Sequence, residues 1–342
     1  MPDTPPVENL GDGIWSLPVP IPDNPLGSTL VYLVAGSSGP VLVDTGWNHD
    51  DAWDALARGI EHTGHSVGDV RGAVVTHFHP DHLGLADRLR EASGAWIAMH
   101  PADTAAVEAL AARNPAGRRE DIALQLRRAG FPEEEVGLLS ADPLLPVPST
   151  AADITLADGD RVDLPGRDLR AVWTPGHTPG HLCLHLGDSG HLFTGDHVLP
   201  RITPHVGQFP LTSPEGDPLG DFLASQKGIA DLPGADALVC LPSHETRFSG
   251  LTERAREITD HHEKRLEELL ALLAEQPLTL WEASSRLTWR RPWDAMRPRS
   301  RHMAASETAA HLRLLEERGR IRRTGPETLP RWGAVRIAKG HE

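Results

Sequence analysis

Residues 76–82 of the chain read THFHPDH and end a β-branched run that is typical of a buried strand. Side chains at positions i and i+2 of an extended segment lie on the same face, so His77 and His79 can bind one ion. Asp81 and His82 then come from the turn into the next helix and can face a neighbouring position. Four ligand-type side chains so close together predict a metal site at a strand end.

Three further ligand-type side chains occur where other apolar strands end. His177 lies in the stretch TPGHTPG, Asp196 ends the stretch LFTGD, and His244 follows the run ALVCL in LPSHE. One cluster of four cannot complete two coordination spheres, and sites of this kind gather at one edge of a sheet. We therefore predict that these three residues join the first cluster.

The hydrophobic patterns around the motifs predict an α/β protein. Apolar, β-branched runs recur in residues 28–76 and 153–194, and Asp50–His62 has apolar residues at helical spacing. Strands, then helices, then strands again are the order expected for two sheets flanked by helices.

The composition changes near Leu251. The elements predicted after it are a long amphipathic helix at Glu253–Glu275, a short helix with Thr279 as N-cap and Glu282 in the capping box, a helix at Ser306–Gly319 and a hairpin around Gly325. Three helices and a hairpin are typical of a winged helix. We therefore predict a catalytic domain over 1–250, with a helical insertion at about 103–145, and a winged-helix-like domain over 251–342. His261 and His262 are expected on the solvated face of the long helix.

The formal net charge of −15 is unevenly distributed along the 342 residues. Residues 251–342 carry a net charge of +4, so residues 1–250 carry −19. The larger part would repel a phosphate backbone, which disfavours nucleic acid as a partner.

The sequence predicts a cytoplasmic protein without a membrane partner. No apolar run reaches the ~20 residues that a membrane-spanning helix needs, and the first residues lack the basic and apolar regions of a signal peptide. Cys183 and Cys240 both lie in apolar runs, which favours buried, reduced thiols over disulfides. The sequence does not indicate an oligomeric state.

The order HxHxDH, PGHTPG, FTGD and a late histidine resembles the metallo-β-lactamase superfamily over roughly residues 10–250. The tail resembles the winged-helix domain that is appended to some members. The resemblance implies an α/β fold, an αββα four-layer sandwich with a small C-terminal winged-helix domain.

The resemblance also implies two divalent metal ions per chain. The implied ligands are His77, His79 and His177 for the first ion, Asp81, His82 and His244 for the second, and Asp196 as a bridge between the two ions. Asp44, in VLVDTG, matches an aspartate that orients the metal-bound histidines. Nitrogen and oxygen ligands without thiolate suit Zn²⁺, with Fe and Mn as alternatives.

The last motif departs from the family pattern. Relatives usually have Pro-Gly-His-Gly, whereas this chain has Pro242-Ser243-His244-Glu245. The added side chains make the turn bulkier, and we expect the carboxylate of Glu245 to lie beside the second metal.

These residues point to hydrolysis. Two divalent ions can share one water and lower its pKa towards about 7, which implies a dinuclear hydrolase with a metal-bridging hydroxide. Asp81 would bind metal and orient that hydroxide as the catalytic residue. The leading hypothesis for the substrate is a small molecule or acyl thioester: an activated ester, thioester or lactone. The candidate pocket residues are Trp47, Phe78, His181, His205 and Phe209; His181 is expected near the pocket and not as a ligand.

Two alternatives stand beside this hypothesis, and a third class of enzyme is excluded. An endoribonuclease or phosphodiesterase of the same superfamily is supported by the basic, Trp-bearing segment Trp289–Trp293, and the net charge argues against it. An oxygenase with one iron would leave the second ligand set incomplete, whereas this chain has both sets. The Asp44-Thr45-Gly46 triplet occurs once, so it cannot supply the aspartate pair of an aspartic protease.

Overall fold

The computed structural model of the chain describes residues 5–141 and 150–335. Within them, the larger sheet has seven strands that follow one another in chain order. The strands are β1 Glu8–Gly11, β2 Ile14–Pro20, β3 Ser28–Val34, β4 Val41–Val43, β5 Gly72–Val74, β6 Trp96–Met99 and β7 Ile154–Thr155. Strands β1–β4 pair antiparallel, and β4–β7 pair parallel.

The second sheet has four strands in the order β11-β10-β9-β8. They are β8 Leu169–Trp173, β9 Leu182–Leu186, β10 His191–Gly195 and β11 Val239–Pro242. Strands β8–β10 pair antiparallel, whereas β10 and β11 pair parallel. Both sheets are therefore mixed.

Side-chain alternation along the strands builds two cores. Leu42 belongs to the core that the first sheet shares with helices, together with Leu56 and Leu89. Val41 and Val43, which point the other way, belong to the core between the two sheets. The predicted fold is confirmed as an α/β sandwich of mixed sheets and helices.

The first four helices are α1 Asp50–His62, α2 Pro80–Leu83, α3 Ala86–Ser93 and α4 Pro101–Ala111. The sequence pattern predicts a helix over Leu83–Ala92, whereas the observed helix α3 begins at Ala86 and is separated from α2 at Gly84. A Cβ atom at position 84 would lie 2.3 Å from the carbonyl oxygen of Pro80 and 2.6 Å from the amide nitrogen of Asn48. The close approach of these backbones therefore requires glycine.

Six further helices occur in the described residues: α5 Pro115–Arg128, α6 Glu133–Ala141, α7 Pro218–Ala230, α8 Leu251–Glu275, α9 Leu280–Arg286 and α10 Pro298–Glu317. A hairpin of β12 Ile321–Thr324 and β13 Arg331–Ala334 follows α10. The capping box at Thr279 and Glu282 is confirmed. Helix α10 begins at Pro298, earlier than the predicted Ser306. None of the described helices has the length and apolarity needed to cross a membrane.

The chain divides into two compact units. The first comprises 1–112, 145–204 and 224–256, and the second comprises 113–144, 205–223 and 257–342. The boundary at 250 and the winged helix therefore stay predictions, as does the insertion at 103–145. Residues 142–145 of that insertion and 336–342 of the tail lie outside the described residues.

The expectation of a solvated His261-His262 pair is wrong for His262. This side chain is 1% exposed, and its Nδ1 lies 3.2 Å from Nε2 of His311. The pairing is invisible to the periodicity of α8, because the partner lies 49 residues away on another helix.

Candidate metal centre

The predicted ligands lie where strands of both sheets end. Strands β4 and β5 are parallel, so Asp44 and the histidine cluster leave the same edge of the first sheet. Strands β10 and β11 are also parallel; Asp196 directly follows β10, and His244 comes two residues after the end of β11. Carboxyl ends of parallel strands meet at one edge, which is why motifs far apart in sequence can come together.

His77, His79 and His177 form a first group of ligand atoms. Nε2 of His77 lies 2.9 Å from Nδ1 of His79, and Nε2 of His177 lies 3.2 Å and 3.0 Å from these two atoms. Three nitrogens bound tetrahedrally to Zn²⁺ at about 2.05 Å would lie about 3.3 Å apart. The triangle is thus close to the size that an ion needs.

Two of these imidazoles, those of His77 and His79, have lowered pKa values. Burial, followed by the neighbouring His177, lowers the pKa of His79 to about 3. Burial and the surrounding histidines also hold the pKa of His77 well below its usual value. Neutral imidazole is the form that offers a lone pair to a metal.

The second group consists of Asp81, His82 and His244, with Asp196 beside it. Oδ2 of Asp81 lies 3.6 Å from Nε2 of His82 and 3.4 Å from Nε2 of His244. Oδ1 of Asp196 lies 3.4 Å from Nε2 of His244, and its Oδ2 lies 3.8 Å from Nε2 of His177. The same Oδ2 lies 3.7 Å from Nε2 of His82, so Asp196 has contacts with both groups.

The second group fits a cation. Nε2 of His82, Nε2 of His244 and Oδ1 of Asp196 are buried and have no hydrogen-bond partner among the described residues. Buried polar atoms are rarely left in this state, because desolvation without a partner costs free energy. Burial raises the pKa of Asp81, but neighbouring groups, above all His82, bring it down to about 2. The group therefore combines imidazole nitrogens with ionised carboxylates.

Asp44 holds the second group from behind. The backbone of Asp44 has φ +63°. Its carboxylate accepts hydrogen bonds from Nδ1 of His82 at 2.8 Å and from Oγ of Ser243 at 3.0 Å. Burial lowers the pKa of His82, but the neighbouring carboxylates, above all that of Asp44, raise it to about 9. The hydrogen bond to Asp44 turns Nε2 towards the group, and a bound cation would take the place of the hydrogen that this pKa puts on Nε2 at neutral pH.

Thr76 extends the same arrangement to the first group. Its hydroxyl lies 2.9 Å from Oδ1 of Asp44 and 3.0 Å from Nδ1 of His77. Since Thr76 donates to the carboxylate, it accepts from His77 and directs Nε2 of that ring inward. Sequence reasoning missed Thr76, although its position directly before His77 was a usable signal.

The sequence predicts the carboxylate of Glu245 beside the second metal, but in the structure this carboxylate has other partners. The carboxylate of Glu245 accepts hydrogen bonds from the backbone N–H groups of Arg201 and Ile202 and from Nε of Arg201. It is therefore held by the 201–202 loop and is absent from the ligand groups of the described residues. Ser243, the other departure, contributes a hydroxyl to Asp44.

The candidate pocket residues have separate environments. His181 is fully buried; its Nδ1 contacts Oγ1 of Thr174 at 2.8 Å and its Nε2 accepts from the backbone N–H of Asp196 at 3.1 Å. It is outside the ligand groups of the described residues, and its place near a pocket stays a prediction. Phe78 and Trp47 are half-buried, and the Phe78 ring lies 5.3 Å from that of His79.

His205 and Phe209 belong to the second unit. Nε2 of His205 lies 3.2 Å from Oγ of Ser306. Phe209 is 54% exposed, with its ring 5.9 Å from that of His302. The role of these two residues in a substrate pocket stays a prediction.

Comparison with known proteins identifies relatives of the chain. A family model described as the metallo-beta-lactamase superfamily matches residues 24–244. The crystal structure of a metallo-beta-lactamase family protein from Thermus thermophilus is 34% identical, with a TM-score of 0.75, and the match covers 96% of this chain and 100% of that one.

Two curated relatives match smaller parts. A lactamase-like protein of Aspergillus niger is 27% identical over 248 residues, 72% of this chain and 59% of that protein. A hydroxyacylglutathione hydrolase of Cereibacter sphaeroides is 32% identical over 167 residues, 49% of this chain and 46% of that protein. The chain thus spans about three fifths of the length of the first of these relatives.

Proposed function

Since the chain belongs to the metallo-β-lactamase superfamily and is a metallo-hydrolase, we propose that it is a dinuclear enzyme for activated esters, thioesters or lactones. The observation that carries the proposal is the convergence of seven ligand-type side chains into overlapping groups. Each group consists of histidine alone or of histidine with carboxylate, without thiolate.

The proposed ligand sets follow these groups. They are His77, His79 and His177 for the first ion, Asp81, His82 and His244 for the second, and Asp196 between them. Zn²⁺ suits nitrogen and oxygen ligands of this kind, and Fe or Mn are the alternatives. Two bound ions would supply a water of lowered pKa and polarise the oxygen of the substrate carbonyl.

The residues of the chain have distinct tasks in this proposal. Asp81, ionised at neutral pH because its pKa is about 2, would bind the second ion with one oxygen and orient the attacking water with the other. Asp44 would hold His82 directly and His77 through Thr76. Buried imidazoles and carboxylates of fixed orientation need little rearrangement when charge develops on the substrate.

A small acyl substrate is favoured over a polyanion. Residues 1–250 carry a net charge of −19, which disfavours a nucleic acid at the site. Among the relatives, the hydroxyacylglutathione hydrolase of Cereibacter sphaeroides acts, by its name, on a glutathione thioester. We identify no glutathione site in the described part of this chain, so the proposal names the bond and not the thiol.

A substrate panel tests the proposal. Zinc-loaded protein is assayed with thioesters, lactones and carboxylic esters beside Asp81→Ala and the control Asp163→Ala, whose carboxylate is an exposed partner of Arg71. We expect hydrolysis by the wild type and the control, and a loss of at least about 100-fold in Asp81→Ala. Equal rates in the wild type and Asp81→Ala would end the proposal.

A metal-dependent endoribonuclease or phosphodiesterase is the second candidate. It is favoured by Arg290 and Arg291, which lie in a basic tail. However, Nε1 of Trp289 donates to the backbone carbonyl of Ser284, and Arg265 lies 4.3 Å above its ring. Such contacts support a packing role for the tryptophan. A titration with single-stranded RNA over a salt series decides: the nuclease requires binding that weakens as salt rises.

We also propose that residues 251–342 form a winged-helix-like domain beside a catalytic domain over 1–250. The support is the order of α8, α9, α10 and the hairpin, with a bridge between Leu278 and Trp332. Limited proteolysis of the full chain tests the boundary. A stable fragment that begins near residue 250 supports it, whereas primary cleavage within α8 contradicts it.

A cytoplasmic location is proposed from the thiols. Cys183 and Cys240 are buried and free, and burial raises the pKa of both to about 12. Free thiols are typical of reducing compartments. Fractionation of the native host tests this location.

A further inference from the structure

Asp103 joins two loops that are far apart in sequence. It lies in the first turn of α4 and its side chain is fully buried. Oδ2 accepts hydrogen bonds from the backbone N–H of Phe78 at 3.0 Å and from Oγ1 of Thr178 at 2.8 Å. Oδ1 accepts from the backbone N–H of Gly180 at 2.6 Å.

The residues that it binds lie next to the first group of histidines. Phe78 stands between His77 and His79, and Thr178 directly follows His177. The nitrogens of these histidines lie within 3.2 Å of one another. A shift of either loop would therefore open the triangle that an ion has to fill.

The backbone at Asp103 is itself held in place. His100 caps α4 by accepting from the backbone N–H of Ala102, and its ring stacks on that of Trp173 at 4.9 Å. Nε1 of Trp173 donates to the carbonyl oxygen of Pro179 at 3.0 Å. The loop that carries His177 is thus held by hydrogen bonds at two consecutive residues, from Trp173 to Pro179 and from Gly180 to Asp103.

Position 180 has room only for glycine. A Cβ atom there would lie 2.5 Å from the backbone nitrogen of Asp103 and 2.7 Å from its Oδ1. The second glycine of the TPGHTPG motif therefore allows the carboxylate to approach the backbone. This gives a structural reason for a glycine that the metal ligands alone do not explain.

A carboxylate is the side chain that this position needs. Three donors converge on its two oxygens, and an ionised carboxylate only accepts hydrogen bonds, whereas an amide turns one of its two ends into a donor. Burial raises the pKa of Asp103 to about 6, and its hydrogen bonds oppose this rise. A buried charge is costly, and the three donors that converge on Asp103 offset that cost.

We infer that Asp103 is a positioning residue that sets the spacing of His77, His79 and His177 by fixing the two loops that carry them. This inference rests on the proposed function, because it assigns the three histidines to one ion. Asp103 acts through Phe78, Thr178 and Gly180 and touches none of the reacting atoms.

The test compares Asp103→Asn with a matched control, Asp153→Asn. Asp153 also accepts from a backbone N–H, that of Ile97 at 2.8 Å, and from Arg90, but it is no partner of the ligand loops. Chelator competition measures the affinity for each of two Zn²⁺ ions, and the visible absorption of Co²⁺-loaded protein reports coordination geometry. We expect one ion to bind about ten- to 100-fold more weakly in Asp103→Asn, with an altered cobalt spectrum, and neither change in Asp153→Asn.

Thr178→Val keeps the inference testable if Asp103→Asn does not fold. It removes one of the three hydrogen bonds, so we expect a several-fold loss of affinity for the same ion. The double variant should lose no more affinity than Asp103→Asn alone, because the hydrogen bond that Thr178→Val removes is one of those that Asp103→Asn already disturbs.

The outcomes separate the inference from the proposed function. Two tightly bound ions and an unchanged cobalt spectrum in both Asp103→Asn and Thr178→Val would overturn the role of Asp103 and leave the enzyme proposal standing. A wild type that binds no divalent ion would overturn the proposed function and the inference with it. Additive losses in the double variant would show that the two residues act separately, against the inference.

Discussion

Nδ1 of His82 lies 2.8 Å from Oδ2 of Asp44, and both side chains are fully buried. The two residues belong to different motifs, 38 positions apart. Asp44 adopts φ +63° directly after β4, a conformation that asparagine and aspartate tolerate better than most side chains. This backbone turns the carboxylate towards His82, Thr76 and Ser243 together.

Asp44→Asn should weaken metal binding without changing the backbone. Asparagine tolerates the same φ, but its amide group cannot accept from every donor that faces the carboxylate. We expect the affinity for one ion to fall about ten- to 100-fold, measured by chelator competition with Zn²⁺. Asp163→Asn, in an exposed ion pair with Arg71, serves as the control. Equal affinities for both ions in wild type and Asp44→Asn would contradict this role.

Removal of metal should destabilise the protein. Nε2 of His82, Nε2 of His244 and Oδ1 of Asp196 are buried without hydrogen-bond partners in the described part of the chain, so a bound ion would remove a desolvation cost. At about 100-fold excess over Kd, one ion stabilises the native state by about 2.7 kcal/mol. We expect chelator to lower Tm by several degrees and added Zn²⁺ to restore it. A Tm insensitive to both would argue against the site.

Glu245 stabilises its turn despite an unfavourable backbone. It has φ +70°, and its carboxylate accepts from Arg201 and Ile202. Glu245→Ala and Glu245→Gly lose the same hydrogen bonds, but only alanine keeps a Cβ at this φ. We expect both to lower the free energy of unfolding, and the glycine variant to be more stable than alanine by about 1 kcal/mol. Urea unfolding measures both differences; equal stabilities would show that the backbone is relaxed.

The pair His262–His311 should make the protein sensitive to acid. Nδ1 of His311 donates to the backbone carbonyl of Glu307, so its Nε2 accepts from His262. Burial, followed by the neighbouring imidazole, lowers the pKa of His262 to about 2, and burial lowers that of His311 to about 4. Both rings therefore stay neutral in the folded state at mildly acidic pH.

The sign follows from proton uptake by the unfolded state. Below its ordinary pKa of about 6.5, each unfolded histidine gains a proton that the folded one does not, which costs about 1.4 kcal/mol per pH unit. The contribution of the two histidines to stability is thus fully present above about pH 6.5. It is lost as the pH falls towards about 4 for His311 and about 2 for His262. Between about pH 7.5 and pH 5, wild type should lose about 2 kcal/mol more than His262→Gln. His65→Gln, in a loop, is the control; parallel pH profiles for wild type and His262→Gln would disprove the assignment.

The ligand candidates could be found from the sequence because their signals are local. His77 and His79 share a face through the two-residue period of an extended chain, and His177, Asp196 and His244 each follow an apolar run. The capping box at Thr279 and Glu282 depends on three-residue spacing and was predictable for the same reason. Helix bounds were less predictable where long-range packing intervenes, as at Gly84, whose backbone meets that of Asn48.

The sequence by itself determined the family, the α/β class and the set of ligand-type residues, since each depends on short spacings along one segment. Only the tertiary structure decided which side chains form the hydrogen bonds around these ligand-type residues. Ser243 donates to Asp44 across 199 positions, and Thr178 donates to Asp103 across 75. It also decided that Glu245 binds the 201–202 loop and that His262 is buried. Hydrogen-bond partners and burial depend on which surfaces pack together, and the periodicity of a single segment carries no information about its partner.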